Sequence, residues 1–147
     1  MTHLSQPAVY IGIDVSKDKL AVAIDAQTEV LTFSNDDAGA AQLIERIRPM
    51  SPALIVLEAT GGYERAFLSA ALDAQLPVAR VQPSRVRHFA LAQGLLAKSD
   101  CIDARLLAIY ARCLQPAVSE KRSKKQAELC WSCAASSSTP APPTPIR

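Results

Sequence analysis

The sequence predicts an α/β fold, a mixed sheet that opens as an antiparallel three-strand meander and continues as strands alternating with helices. Three observations carry this reading. Residues 8–15 are apolar on both faces, as a central strand covered from both sides must be. Two more short apolar runs follow through tight turns, which suits antiparallel pairing. Beyond Phe33 the apolar spacing alternates between helical and extended, and such a sheet needs helices on both faces.

The elements follow in order. In the first strand Ala8, Tyr10, Gly12 and Asp14 share one face, and Val9, Ile11, Ile13 and Val15 share the other. Ser16-Lys17-Asp18 turns the chain into a second strand, where Leu20, Val22 and Ile24 alternate with Ala21, Ala23 and Asp25. A third covers Val30-Leu31-Thr32-Phe33. Asn35-Asp36-Asp37 then offers helix caps, and Ala40, Leu43, Ile44 and Ile47 repeat at helical spacing until Pro49. "ALIVLEAT" (53–60) is a second fully buried strand and ends in an acid, Glu58. A helix from about Tyr63 to Gln75, a strand Val78–Val81, a helix opened by Pro83-Ser84 and a long helix from about Ser99 to Leu114 complete the pattern.

With 147 residues, 49% hydrophobic and 20% charged, the chain is expected to form one globular domain. No apolar run approaches the roughly 20 residues of a membrane helix. The start, Met1-Thr2-His3-Leu4-Ser5-Gln6, has neither the basic stretch nor the apolar core of a signal peptide. A cytoplasmic protein with reduced cysteines is expected. The net charge of +2 conceals an asymmetry. Residues 1–79 hold 5 Lys/Arg against 10 Asp/Glu, and residues 80–125 hold 10 against 3. A basic half of this kind suits a polyanion-binding surface and equally a solvated basic face.

Four acids stand out. Asp14 and Glu58 end apolar strands. On a wheel of ~100° per residue, Asp100 and Asp103 share one side of the last helix with Leu107, Tyr110 and Leu114, opposite Arg105 and Arg112. They extend the stripe that should face the sheet. Gathered carboxylates repel and raise one another's pKa, so they need positive charge. Divalent cations with oxygen ligands supply it, Mg²⁺ being usual beside phosphates. Gly12, on the face of Asp14, is then expected to leave room beneath a metal or for an approaching substrate.

Four motifs in order, "GIDVSK" (12–17), "LEATGGYE" (57–64), "VQPSRVRHFALAQG" (81–94) and "AKSDCIDARLLAIYA" (97–111), resemble the N-terminal domain of the DEDD transposases of bacterial insertion sequences, the IS-one-ten family. The resemblance covers roughly residues 8–129. It implies an RNase H-like (RuvC-like) fold with parallel strands after the meander, and a DEDD metal site at Asp14, Glu58, Asp100 and Asp103 that holds Mg²⁺ or Mn²⁺. It further implies insertion and excision of a mobile element, with its DNA ends and target DNA as partners and a structured guide RNA bridging them. A homo-oligomer is implied for the full-length form.

Ser99 and Cys101 depart from the residues usual in that family. Family members also continue through a helical spacer into a domain with a serine nucleophile. Here the spacer begins, "SEKRSKKQAEL" (119–129), and then gives way to "CWSCAASSSTPAPPTPIR", with 4 of the 10 prolines and the only Trp. This tail reads as disordered and as translated out of frame. The expected organisation is a catalytic domain over 1–117, a spacer start over 118–129 and the tail over 130–147, with the chain inactive on its own.

Other signals carry less. Cys130 and Cys133 form a CxxC without a second pair at zinc spacing. Cys101 and Cys113 read as small core residues. Thr60-Gly61-Gly62 offers backbone N–H groups to a phosphate, or simply a tight strand-to-helix turn. Lys17, Arg85, Arg87, His88 and Lys98 are candidate nucleic-acid contacts, or ordinary surface charges. Function classes left open are a transposase domain, a non-catalytic remnant that binds nucleic acid or transposase, a RuvC-like junction nuclease and an actin-like kinase. The kinase lacks the glycine needed after Asp14, where Val15-Ser16-Lys17 stand.

Overall fold

The computed structural model of the chain describes residues 7–25, 27, 29–95 and 100–120. Five strands form one sheet: β1 (Tyr10–Val15), β2 (Lys19–Ile24), β3 (Val30–Ser34), β4 (Leu54–Glu58) and β5 (Val78–Val81), in the order β3-β2-β1-β4-β5. The first three pair antiparallel, with Ile13 opposite Val22 and Val22 opposite Leu31. β4 then adds parallel to β1, and β5 parallel to β4. The mixed sheet is therefore the one expected, with β1 at its centre.

Among the described residues four helices cover it: α1 (Asp37–Ile47), α2 (Arg65–Asp73), α3 (Pro83–Ala92) and α4 (Asp100–Leu114). The period-two alternation of the strands sends side chains to two cores. Ile11, Ile13, Val15, Leu20, Val22, Ile55, Leu57 and Val78 pack with Leu43 and Ile47 of α1 and Phe67 and Ala71 of α2. On the other face Leu54, Val56, Ala79 and Val81 meet Val86 of α3 and Leu106, Leu107 and Tyr110 of α4. Beside them Ala21 and Ala23 lie against Ala104 and Ala108. Helices on both faces are thus observed.

The boundaries differ in instructive places. α1 starts at a cap, Asp36, whose carboxylate accepts the Gly39 N–H at 2.7 Å. It ends at Ile47 and gives way to a 3₁₀ turn, Arg48–Met50, that accommodates Pro49. α2 begins at Arg65, two residues later than the sequence suggested, because Gly61 and Gly62 have φ of +58° and +95° and hold the chain in a turn. After α4 the chain folds back along β5, where the Ser119 N–H donates to the Val78 carbonyl at 2.6 Å and the Arg80 N–H to Ser119 Oγ at 3.2 Å. The rest of the expected spacer and the tail lie outside the described residues. Among the described residues no helix is long and apolar enough to cross a membrane.

Candidate metal centre

The parallel pairing of β1 and β4 carries the two strand-end acids to the same end of adjacent strands. Its last register pair is Ile13 with Leu57, so Asp14 and Glu58 are each one step further along. Neighbouring strands run about 4.8 Å apart. Both acids have the parity of the face that meets α4, since Gly12 is paired with Val56 there. Both are half-buried.

Gly12 explains how α4 joins them. A Cβ at this position would lie 2.1 Å from the Ala104 carbonyl oxygen and 2.3 Å from the Ala108 nitrogen. Its missing side chain makes room for the helix backbone, not for a metal or substrate as the sequence reading had it. At the far end of α4 the Gln115 Nε2 donates to Tyr10 Oη at 3.2 Å. Residue 115 thus lies over the start of β1 and residues 104–108 over its middle. The helix runs antiparallel to β1, and its first turn, with Asp100 and Asp103, points to the end where Asp14 sits.

The inward stripe of α4 holds for Leu107 and Tyr110, which are buried, and for half-buried Asp103, with Arg105 outside. Leu114 departs from it, being 54% exposed. Cys113 is also exposed, which corrects its reading as a core residue. The CxxC lies outside the described residues. Outside the site, Asp25 anchors the helix through an ion pair with Arg112. Among the described residues no three His, Cys, Asp or Glu side chains are close enough to hold a metal ion. The side chain of Asp100 lies outside what is described, and Asp14, Glu58 and Asp103 each have an interaction partner.

The loop after β4 holds a residue that the sequence did not single out. Glu64 is 2% exposed, the one buried charged side chain among the described residues. Its Oε2 accepts the N–H groups of Thr60 (3.2 Å) and Gly62 (3.1 Å), and its Oε1 takes Arg80 Nη1 of β5 at 3.3 Å. Burial pushes its pKa up. Hydrogen bonds from its own N–H and from those of Thr60 and Gly62, with the Arg80 charge, outweigh that and hold it below the ordinary range. "LEATGGYE" contains two glutamates, and only the first faces α4. The N–H groups of Thr60 and Gly62 serve Glu64, so the strand-to-helix turn fits better than a phosphate cradle. Asn35, read from sequence as one of three possible caps, leaves that role to Asp36. Its Nδ2 donates instead to the carbonyls of Ser16 (2.7 Å) and Tyr63 (3.1 Å). The Gly39 N–H, with Ser34 Oγ, also holds the Asp36 carboxyl below its usual range.

Of the nucleic-acid candidates, Lys17 is exposed in the β1–β2 turn and Gly61 in the β4–α2 loop, where Thr60 is half-buried. Arg85, Arg87 and His88 are exposed on α3. Lys98 lies outside the described residues.

Comparison with known proteins follows the same lines. The sequence model of the IS-one-ten DEDD transposases, described as Transposase, matches residues 11–136. Pilin gene-inverting proteins of Moraxella bovis and Moraxella lacunata are 29% and 30% identical over 126 residues. These alignments cover 82% of this chain and 39% of each relative, so the chain spans about two fifths of their length. Among solved structures, Thermus thermophilus RuvC in complex with a Holliday junction substrate superposes with a TM-score of 0.51. That match has 18% identity and covers 71% of this chain and 95% of RuvC. At that identity it shows the fold, which is RNase H-like.

Proposed function

The chain belongs to the IS-one-ten family of DEDD transposases, and on that premise we propose that it binds DNA and positions a phosphodiester at a divalent-metal site formed by Asp14, Glu58, Asp100 and Asp103. The observation that carries the proposal is the convergence of three elements on one end of the sheet. β1 and β4 pair up to Ile13 and Leu57, one step before Asp14 and Glu58, and Gly12 lets α4 lie close over β1 with its first turn toward that end.

Carboxylate oxygens are the donors that Mg²⁺ and Mn²⁺ take, so the residue types fit, although Asp14, Glu58 and Asp103 do not stand close enough together to hold an ion without drawing in. When bound, such ions stabilise the charge on attacking and leaving oxygens at phosphorus. The chain's own residues do the rest. The four acids supply the negative charge that concentrates the ions, and the sheet brings the two strand-end members to the same end of adjacent strands. Lys17, Arg85 and Arg87 are exposed cations available to the phosphate backbone, which sets position rather than sequence. Its substrates in this reading are the DNA ends of a mobile element and a target DNA, with a structured guide RNA between them, and the working form is a homo-oligomer. Because the chain spans 39% of its curated relatives, strand exchange as a whole is assigned to more than this domain, and the domain alone is expected not to complete it.

Mn²⁺ titration followed by electron paramagnetic resonance tests the site. Wild-type chain is expected to bind and Asp14→Asn to lose binding. Equal binding by the two would overturn the assignment.

A further inference from the structure

We propose that Asn35 is a positioning residue that locks the strand ends bearing Asp14 and Glu58 relative to each other. The inference rests on the metal-site reading above. The register of β1 and β4 ends at Ile13 and Leu57, one step before the acids. Beyond that step β4 is tied outward, its Ala59 N–H donating to the Val81 carbonyl of β5 at 2.9 Å. The link back to β1 comes from Asn35. One amide nitrogen donates to Ser16, two residues after Asp14, and to Tyr63 in the loop that follows Glu58.

The chemistry suits this task. Both partners are main-chain carbonyls, which only accept, so the atom between them must donate twice. A primary amide does so from one nitrogen, and the neighbours fix which end of the side chain is nitrogen. Aspartate would present an acceptor to two acceptors. The anchor is also firm. The Asn35 N–H donates to the Asp18 carbonyl at 3.0 Å, and the next residue caps α1. Glu64 holds the same β4 loop from the opposite side through Thr60 and Gly62. The loop between Glu58 and α2 is therefore held by both Glu64 and Asn35, and the Asn35 bonds refer it to the end of β1.

The test uses the 147-residue chain as wild type, Asn35→Ala, Asn35→Asp and Asp14→Asn, with Asp36→Ala as a control that weakens the same junction. Mn²⁺ affinity and residue-resolved amide exchange are measured for each. Supporting groups around metal ligands are typically worth about 10- to 100-fold in affinity. Both Asn35 variants are expected to weaken Mn²⁺ binding by about that factor and to speed exchange in residues 16–18 and 60–63 together. Asp36→Ala is expected to keep wild-type affinity although its α1 amides exchange faster. Wild-type Mn²⁺ affinity in Asn35→Ala, with binding still lost in Asp14→Asn, would overturn the role of Asn35 alone. A wild-type chain that binds no Mn²⁺ would remove the metal reading and this inference with it. Equal weakening by Asp36→Ala would also overturn it, as general loosening of the junction.

Discussion

Gly12 and Ala104 meet backbone to backbone: a methyl group on Gly12 would be 2.1 Å from the Ala104 carbonyl oxygen. The neighbouring atoms at Ala108 and Leu107 are also main chain, so no flexible side chain can give way. Gly12→Ala is therefore expected to push α4 off the sheet and cost at least about 1–3 kcal/mol, the usual range for overpacking a tight core. Urea unfolding followed by circular dichroism measures it, and an unchanged midpoint would contradict the close approach.

Glu64 gives a pH dependence with a definite sign. Its folded pKa lies below the ordinary value of 4.5. The ionised carboxylate thus contributes its full stabilisation above the unfolded pKa, and this is lost as pH falls through the folded value. Glu64→Gln turns an amide toward Arg80 and is expected to cost about 1–3 kcal/mol at pH 7. The gap to wild type should narrow steadily in unfolding series taken from pH 6 to pH 3. A gap that stays constant would show that the charge on Glu64 is not what matters.

Mn²⁺ should also stabilise the fold by mass action. A ligand that binds only the native state contributes about 2.7 kcal/mol at a hundred times its Kd. The rise in Tm at saturating Mn²⁺ is expected in wild type, and in neither Asp14→Asn nor Glu58→Gln. Removing the metal with a chelator should return wild type to its starting Tm.

On α3, Arg85 and Arg87 are exposed and not needed for packing. Replacing either by Ala is expected to leave Tm unchanged and to reduce the salt dependence of DNA binding. Each lost phosphate contact lowers the slope of log K against log salt by about one. Filter binding between low and moderate salt reads this directly, and unchanged slopes would mark α3 as a solvated surface.

Much of the scaffold was legible because burial leaves a plain periodicity. β1 and β4 read as central strands from their two apolar faces, and the side of α4 carrying Asp103, Leu107 and Tyr110 was visible on a helical wheel. Residues whose role is set by distant partners were not legible. Glu64 follows two glycines and looks like an ordinary helix-start acid until Arg80, sixteen residues on, is brought beside it. Asn35 sits in a run of three good caps, and only the tertiary approach of two loops separates its task from that of Asp36. Gly12 read from sequence as room for a metal or substrate, whereas the group that approaches it is the chain's own helix, which only the tertiary fold reveals. Leu114 and Cys113 are exposed at the end of α4, where the apolar character of a residue did not tell its side of the helix.

The position of α4 over β1 and β2 also governs the order of events during synthesis. The hairpin ends at Ile24, but the helix that covers its Gly12, Ala21 and Ala23 face is finished only at Leu114. At a ribosomal rate of about 5–20 residues per second, that delay lasts on the order of 5–20 s. Throughout it the nascent sheet shows one bare apolar face. A chain cut short or stalled before α4 emerges would leave that surface open to chaperones and proteases.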